Sequence, residues 1–217
     1  MDLEQARQQM LGQQIRAWEV LDDAVLAVLN RVRREDYVPE DYRNVAFADC
    51  TIPLGHGQEM LSPSLEGKIL QALRLSKADS VLEIGTVSGY LTACLAQLAG
   101  EVVSIDIFED FVVDAERKLA AANINNVSLE TVDAFSLDDD PRQFDAIAIT
   151  GSIPSHSSVF AKLLRPGGRM FVVVGQQPVM EACLVTAHRN GQSTVESLFE
   201  TAVAPLLGAE PPERFVF

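Results

Sequence analysis

The fold is decided by the stretch Ser80-Val81-Leu82-Glu83-Ile84-Gly85-Thr86-Val87-Ser88-Gly89, in which a short apolar run passes into a turn bounded by two glycines. Apolar residues at helical spacing follow from Tyr90 to Leu98. Glycine lets the chain turn tightly and approach a ligand, and the first turn of a helix presents free N–H groups with partial positive charge. We therefore predict a strand, a turn and a helix, with a ligand site at the turn.

Short apolar runs alternate with helical stretches along the rest of the second half of the chain. Four further strands are predicted, at residues 101–106, 127–133, 144–150 and 169–175. Strands separated by helices need crossover connections, which produce a parallel sheet covered on both faces. Two later apolar stretches, 182–187 and 195–202, flank Asn190-Gly191, a strong signal for an antiparallel turn. We predict an α/β fold with a doubly wound, mostly parallel, Rossmann-like sheet and a C-terminal antiparallel hairpin.

The part of the chain before the first predicted strand is predicted to be mainly helical. From Asp22, a good N-cap, apolar residues fall at helical spacing, and a shorter helix is expected before Trp18. A glycine-rich stretch without periodicity, residues 51–61, leads to Ser62-Pro63, where serine suits an N-cap and proline suits the first helical position. The helix that begins there is predicted to run to about Leu75.

The composition excludes several classes of protein. Hydrophobic residues make up 47% of the 217 residues and charged residues 22%, within the range of globular chains. A net charge of −14 repels phosphate backbones. No apolar stretch approaches the roughly 18 residues of a membrane span, and Met1–Gln5 lacks the pattern of a signal peptide. We expect a cytoplasmic protein with neither a membrane nor nucleic acid as partner.

The positions of the cysteines and histidines predict no metal site. Cys50, Cys94 and Cys183 are far apart and no Cys-x-x-Cys occurs, so reduced thiols are expected. His156 and His188 have no acid or cysteine at ligand spacing.

Polar residues follow the second and third predicted strands, where ligands bind in an open parallel sheet. Asp106 lies 21 residues after Gly85, close to the roughly 20-residue offset at which an acid meets a ribose. At Asp133 and Ala134, a carboxylate can accept from an exocyclic amine and a small residue leaves room for a flat base. Together these residues predict a nucleoside cofactor.

The glycine turn distinguishes between cofactor classes. A dinucleotide fingerprint requires Gly-x-Gly-x-x-Gly, and this turn offers only Gly85 and Gly89. S-adenosylmethionine is therefore preferred, and hydride chemistry with a nicotinamide cofactor is the alternative.

The sequence resembles the protein-L-isoaspartate O-methyltransferase family over nearly its whole length. The matching stretches are Arg34-Glu35-Asp36-Tyr37-Val38-Pro39-Glu40, Ile52-Pro53-Leu54-Gly55-His56-Gly57-Gln58, Val81-Leu82-Glu83-Ile84-Gly85-Thr86, Phe144-Asp145-Ala146-Ile147 and Leu164-Arg165-Pro166-Gly167-Gly168-Arg169. The resemblance implies an S-adenosylmethionine-dependent methyltransferase fold with additional N-terminal helices. We accordingly divide the chain into N-terminal helices with a substrate loop, residues 1–78, packed on a cofactor-binding domain, residues 79–217.

The resemblance also implies which residues form the site. Those implied to bind S-adenosylmethionine are Glu83, Gly85, Thr86, Ser88, Gly89, Asp106, Ile107, Asp133 and Ala134. The loop that ends at Ser62 is implied to cover the reacting methyl group, with catalytic positions at Gln58, Glu59, Leu61 and Ser62.

The reaction implied by the resemblance is methyl transfer to the side-chain carboxylate of an isoaspartyl residue in a damaged peptide or protein, after which the ester collapses through a succinimide. A carboxylate is already nucleophilic at pH 7, so no general base is needed. The protein has to supply proximity, in-line orientation and exclusion of water.

Five positions depart from the family pattern, which commonly reads Gly-Gln-Thr-Ile-Ser-x-Pro in the substrate loop. Leu61 replaces the serine and Glu59 stands at the threonine, where a carboxylate about 4 Å from an anionic substrate costs roughly 1–4 kcal/mol unless it points to solvent. His56 replaces a glutamine, Val87 occupies the middle glycine of the cofactor turn, and Val203 stands at a phenylalanine.

These departures leave alternatives open. Ser62 can stand in for the missing hydroxyl, although a role as helix N-cap is favoured. The chain as a whole is either an isoaspartyl methyltransferase, a divergent member that binds the cofactor but lacks isoaspartyl activity, or a non-catalytic module that binds a basic partner. The sequence contains no signal for an oligomeric state.

Overall fold

The computed structural model describes residues 3–209. The first two residues of the predicted N-terminal segment (1–2) and the last eight of the predicted cofactor-binding domain (210–217) lie outside the described residues. The strands are β1 (Ile52–Gly55), β2 (Gln58–Met60), β3 (Ser80–Ile84), β4 (Glu101–Asp106), β5 (Val127–Thr131), β6 (Phe144–Ile153), β7 (Leu164–Gln176), β8 (Val179–Ala187) and β9 (Ser193–Glu200). The α-helices are α1 (Leu3–Gln9), α2 (Asp23–Arg31), α3 (Pro63–Leu73), α4 (Tyr90–Leu98), α5 (Glu109–Ala121) and α6 (Ser158–Lys162).

A seven-stranded sheet with the order β5-β4-β3-β6-β7-β8-β9 organises the fold. Strands β3 to β7 are parallel, whereas β8 and β9 run antiparallel to their neighbours. The chain leaves β3 toward β5 and then crosses to β6 on the other side. Ligands bind at such a reversal point, beyond the carboxyl ends of the strands. The predicted doubly wound sheet and C-terminal hairpin are confirmed.

The burial of β3 explains why the sequence identifies it so clearly. All five of its residues are buried, because β4 pairs on one side, β6 pairs on the other, and helices cover both faces. At the far edge, five consecutive residues of β9 are exposed. An interior strand of a parallel sheet reads as a continuous apolar run for this reason.

The bounds of several strands and one connection of the sheet differ from the prediction. The fifth parallel strand begins at Leu164, five residues before the predicted start, because Leu164 already pairs with Phe144. The connection after β5 contains only a short 3-10 helix, Ala134–Asp139, begun by Asp133, whose side chain accepts from the Phe135 N–H. A helical crossover is therefore absent at this one connection.

The N-terminal helices form as predicted. Asp22 caps α2 by accepting from the N–H groups of Ala24 and Val25. Helix α1 continues as a π-helix over Met10–Ile15, before Trp18. Helix α3 ends two residues before the predicted Leu75, since Arg74 adopts a left-handed conformation with φ 46°.

One hydrophobic core joins the N-terminal segment to the sheet. Met10, Leu29 and Leu70 belong to the same buried cluster as Val81 and Leu95. The predicted packing is consistent with this cluster, while the boundary between residues 78 and 79 stays a prediction. Within residues 3–209, helices lack the combination of length and apolar character that a membrane crossing requires.

Candidate functional site at the carboxyl ends of the parallel strands

The glycine turn after β3 brings backbone close to a neighbouring strand. Gly85 has φ 97°, and its N–H donates to the Ile105 carbonyl at 2.8 Å. A Cβ on Gly85 would lie 2.0 Å from the Oγ1 of Thr150, which donates to the carbonyl oxygens of Ile84 and Gly85. Only glycine combines this backbone conformation with so close an approach. The turn therefore requires glycine at this position, and the Thr150 side chain helps to hold it.

Val87, in the middle of this turn, has φ 48°. A β-branched side chain in the left-handed region is a genuine outlier and costs about 1–2 kcal/mol. The strain persists because the Val87 N–H donates to Asp106 at 2.9 Å and the turn is pinned at Gly85. Val87 thus adopts the backbone conformation that suits the glycine usual at this position.

Asp106 lies at the end of β4 and faces the same space. Its two carboxylate oxygens accept from the N–H groups of Val87 and Phe108, and the residue is 6% exposed. Burial raises the pKa of Asp106, and the backbone hydrogen bonds oppose this shift. Asp133, at the end of β5, is exposed and accepts from the Phe135 N–H. Both acids line the same cavity, and their contacts with a ribose and a base stay predictions.

Glu83 does not line the cavity. Its carboxylate is fully buried behind the turn, where it accepts from the hydroxyl groups of Thr92 at 2.5 Å and Ser104 at 2.6 Å. Burial raises the pKa of Glu83 to about 8, although both hydrogen bonds oppose the shift. A direct contact between Glu83 and a cofactor therefore stays a prediction, and the geometry supports a positioning role.

Three other residues of the turn also lie outside the main cavity. Thr86 shares a 2.6 Å hydrogen bond with Ser104 and is buried. The hydroxyl oxygen of Ser88 accepts from the Tyr90 N–H, and Gly89 packs against Ala115 of α5. Thr86 and Ser88 do line a much smaller recess beside the cavity, below the substrate loop.

The substrate loop, predicted to lack regular structure, is in fact the β1–β2 hairpin. Its tip consists of Gly55, His56 and Gly57, with φ values of 120°, 50° and 69°. The two glycines allow the positive φ values of this turn. Hydrophobic periodicity could not predict the hairpin, because its strands have only four and three residues. The hairpin directs Gln58 and Glu59 at the cavity.

Leu61 and Ser62, just beyond the hairpin, have separate roles. Leu61 lines the cavity, whereas Ser62 is the N-cap of α3 and accepts from the Leu65 N–H. The favoured interpretation of Ser62 as a cap is confirmed. Its hydroxyl is also within 3.1 Å of the Ser64 hydroxyl.

The hairpin tip is attached to the start of α5. The His56 ring stacks on Phe108 with centroids 4.1 Å apart, and it meets Phe111 edge-on. Nε2 of His56 lies 2.8 Å from the Asp110 carboxylate. Phe108 itself lines the cavity, so the same contacts connect the hairpin to the cavity wall.

A buried arginine, Arg34, binds the residue that follows the hairpin. Arg34 is 1% exposed, pairs with the Glu66 carboxylate and lies over the Tyr90 ring. It also donates to the carbonyl oxygens of Ala46 at 2.8 Å and Leu61 at 2.6 Å. The last residue of the substrate loop is thereby tied to α3 and α4.

The C-terminal segment closes the other side of the site. The Ser152 N–H donates to the Ala204 carbonyl, and the Leu206 N–H donates back to the Ser152 carbonyl. This pairing lays residues 202–207 across the carboxyl end of β6. Val203, at the position of the family phenylalanine, is buried.

These elements enclose a cavity of about 410 Å³. Small-molecule sites usually measure about 300–1,000 Å³. Of the predicted site residues, those that line the cavity are Gln58, Glu59, Leu61, Gly85, Asp106, Ile107, Asp133 and Ala134. Those that the sequence did not single out for this site are Thr51, Phe108, Val132, Thr150, Gly151, Gln177 and Leu207, along with Ile84 and Ile105 at the strand ends.

Some of these additional lining residues could have been predicted from the sequence, and others could not. Phe108 follows the strand-end Asp106 by two residues, and Thr150 ends the fourth predicted strand, so reading every strand end would have found both. Gln177 lies in the turn between β7 and β8, and no sequence pattern indicates that it lines the cavity. Within residues 3–209, no three His, Cys, Asp or Glu side chains come together as metal ligands.

The glycine turn, the acid at the end of β4 and the cavity at the reversal point define an α/β protein of the Rossmann-like methyltransferase class. The model of the family described as protein-L-isoaspartate(D-aspartate) O-methyltransferase matches residues 5–210. The chain therefore belongs to this family.

Individual relatives agree with the assignment. The chain is 33% identical over 205 residues to a protein-L-isoaspartate O-methyltransferase of Opitutus terrae, covering 94% of this chain and 88% of that protein. A Petrotoga mobilis enzyme of the same name is 32% identical over 209 residues, covering 96% and 98%.

A solved structure shares the whole fold. It is a Plasmodium falciparum protein assigned as a protein-L-isoaspartate O-methyltransferase, in complex with S-adenosyl-L-homocysteine. The TM-score is 0.81 at 19% identity, with 92% of this chain and 97% of that chain covered.

Proposed function

We propose that this chain is an S-adenosylmethionine-dependent methyltransferase that methylates the side-chain carboxylate of isoaspartyl residues in peptides or proteins. The observation that carries the proposal is the cavity at the sheet reversal, bounded by the glycine turn, Asp106 and the β1–β2 hairpin, in a chain of this family.

The residues present fit the cofactor. Gly85 lines the cavity with backbone alone, in a left-handed conformation that glycine adopts without strain, so a cofactor can approach the chain closely there. Asp106 and Asp133 stand at the ends of neighbouring strands with room for a nucleoside between them and Ile107. When bound, S-adenosylmethionine supplies a methyl carbon that leaves sulfur for a carboxylate oxygen, while the electron pair of the broken bond stays on sulfur.

The chain itself positions the acceptor. Because a carboxylate is nucleophilic at pH 7, the cavity needs no general base. The side-chain amide of Gln58 can donate to an acceptor oxygen, while Leu61 and Val203 present apolar surface that excludes water. Orientation of this kind lowers the barrier by converting an encounter into a reaction between held groups.

A place for the rest of the peptide adjoins the cavity. A second hollow of about 300 Å³, lined mainly by apolar groups, shares Gln177, Val203 and Pro205 with the cavity. Residues beside the isoaspartyl group can extend into it. We propose a peptide or protein substrate on this basis, and the cytoplasmic location predicted from the sequence stays a prediction.

The test is transfer of labelled methyl from S-adenosylmethionine to an isoaspartyl peptide, with the aspartyl peptide of the same sequence as control. We expect label on the isoaspartyl peptide alone, and a large loss of rate in Asp106→Ala. Asp138→Ala, at an exposed acid outside the cavity, is the matched control and should keep the rate. Equal label on both peptides, or none on either, would contradict the proposal.

The second candidate is a divergent member that binds the cofactor without isoaspartyl activity. It is favoured by Glu59 and Leu61, which place a carboxylate and an apolar group on the cavity wall where the family has hydroxyl groups. Calorimetric titration with S-adenosylhomocysteine separates the candidates. Binding without transfer to any isoaspartyl peptide would establish this second function, whereas absence of binding would favour a non-catalytic module.

A further inference from the structure

The charges on the cavity wall all have one sign. Among the lining residues, those with charged side chains are Glu59, Asp106 and Asp133, and each is an acid. Within residues 3–209, no lysine, arginine or histidine lines this cavity. A carboxylate acceptor therefore enters a site in which the chain offers it no cation.

The three acids are not equivalent. Both oxygens of Asp106 already accept backbone hydrogen bonds, and Asp133 caps a 3-10 helix. Glu59 is exposed and has no hydrogen-bond or ion-pair partner among the described residues. It is thus the acid whose charge is least compensated by the chain.

The fold prevents Glu59 from withdrawing its backbone from the cavity. Glu59 pairs with Pro53 across the hairpin, and its neighbour Met60 is buried. On one side the hairpin tip is attached through the stacked His56 and Phe108 rings, and on the other side Arg34 holds the Leu61 carbonyl. The backbone of Glu59 therefore stays at the rim of the cavity, and its side chain lines the cavity wall.

Basic side chains on the neighbouring surface do not compensate for the negative charge of Glu59. The groove on the far side of Val87 contains Arg43, Arg117 and Lys118, but Arg43 is paired with Asp36 and the other two are paired with Asp114. Glu59 consequently repels an isoaspartyl carboxylate near it, and a positive charge on the substrate offsets this repulsion.

We propose that Glu59 makes the site selective for isoaspartyl residues that have a lysine or arginine beside them in the peptide. This inference rests on the proposed function and names its substrate class. The neighbouring cation pairs with Glu59 and removes the repulsion on the reacting carboxylate. The net charge of −14 acts in the same direction, because it attracts basic peptides to the protein.

The experiment measures kcat/KM for methyl transfer to three isoaspartyl peptides that differ only in the residue after the isoaspartyl group, which is lysine, alanine or glutamate. We expect kcat/KM to fall by roughly fivefold at each step, the size of one exposed charge interaction. In Glu59→Gln the ratio between the lysine and glutamate peptides should shrink to near one, mainly because the glutamate and alanine peptides improve. Added salt should reduce the preference of the wild-type protein, since the charges are exposed.

The matched control is Glu196→Gln, which removes an exposed acid from β9 outside the cavity and should leave the preference intact. Affinity for S-adenosylhomocysteine, measured by titration, should be similar in the wild type and in Glu59→Gln. A large change in this affinity with an unchanged peptide preference would show that Glu59 acts on the cofactor and would overturn the inference.

Two further outcomes separate this inference from the proposed function. Equal kcat/KM for the three peptides overturns the selectivity of Glu59 and leaves the isoaspartyl activity standing. Failure of all three peptides, the lysine peptide included, overturns the proposed function together with the inference.

Discussion

His56 and Asp110 join the substrate hairpin to helix α5 across a distance of 2.8 Å between Nε2 and a carboxylate oxygen. The hydrogen bond from His56 lowers the pKa of Asp110, which is exposed. Because Asp110 is stabilised in its charged form, this contact is present above the ordinary pKa of an aspartate and is lost as the pH falls through the lowered value. The hairpin is therefore attached at neutral pH.

The attachment predicts a role for His56 in cofactor affinity. In His56→Ala the stacked contact with Phe108 is lost, and such a pair is worth about 0.5–1.5 kcal/mol. We expect S-adenosylhomocysteine to bind roughly two- to tenfold more weakly, as measured by titration calorimetry. Asp110→Asn keeps the stacking and should have a smaller effect. If both variants bind as tightly as the wild type, the hairpin is held by other contacts.

Val87→Gly should relieve strain in the cofactor turn. Left-handed valine costs about 1–2 kcal/mol, and the extra freedom of glycine in the unfolded chain costs about 0.4–1 kcal/mol. We expect unchanged or slightly higher stability and tighter binding of S-adenosylhomocysteine, because the side chain also lines the cavity. Val113→Gly, on an exposed face of α5, should instead lose about 0.3–0.5 kcal/mol, the difference in helix propensity between valine and glycine. Thermal unfolding measures both, and a comparable loss in the two variants would argue against strain at Val87.

Glu83 should make stability depend on pH between the ordinary pKa of a glutamate and a pH of about 8. Its pKa is raised to about 8 in the folded protein by burial. Between its ordinary pKa and about 8, the folded state holds a proton that the unfolded state has released, so stability falls as the pH rises, by at most about 1.4 kcal/mol per pH unit. Above about 8 the loss is complete.

The variant Glu83→Gln isolates this effect. Glutamine stays neutral, so the free energy of unfolding of the variant should gain on that of the wild type as the pH increases from 6 to 9. Urea unfolding at several pH values measures the difference. A constant difference over this range would mean that Glu83 is ionised when folded.

Arg34 should be among the residues on which stability depends most. Arg34→Met leaves the Glu66 carboxyl and the carbonyl oxygens of Ala46 and Leu61 without their partner, in a buried site. Removal of one partner of a buried pair typically costs about 3–5 kcal/mol. Glu66→Gln should cost less, since glutamine still accepts from Arg34. Urea unfolding of both variants tests this, and a loss below about 1 kcal/mol for Arg34→Met would refute it.

The residues at the strand ends show how much of the site could be predicted from the sequence. Gly85 and Asp106 were found because both requirements are local: a glycine conformation at the turn and an acid at the end of an apolar run. The β1–β2 hairpin was missed because short strands show no periodicity. Glu83 was assigned to the cofactor by resemblance, and its burial behind the turn depends on Thr92 and Ser104, which are distant in sequence.

The sequence by itself determined the five parallel strands, the C-terminal hairpin, the glycine turn, the acids at the strand ends and the family. These depend on periodicity, capping and backbone conformation, which act over a few residues. Only the tertiary structure decided that His56 meets Phe108, that residues 202–207 cross the end of β6, and that Glu59 faces a cavity without a cation among its described lining residues. Contacts of this kind join segments far apart in the chain, and their geometry depends on how all the elements pack together.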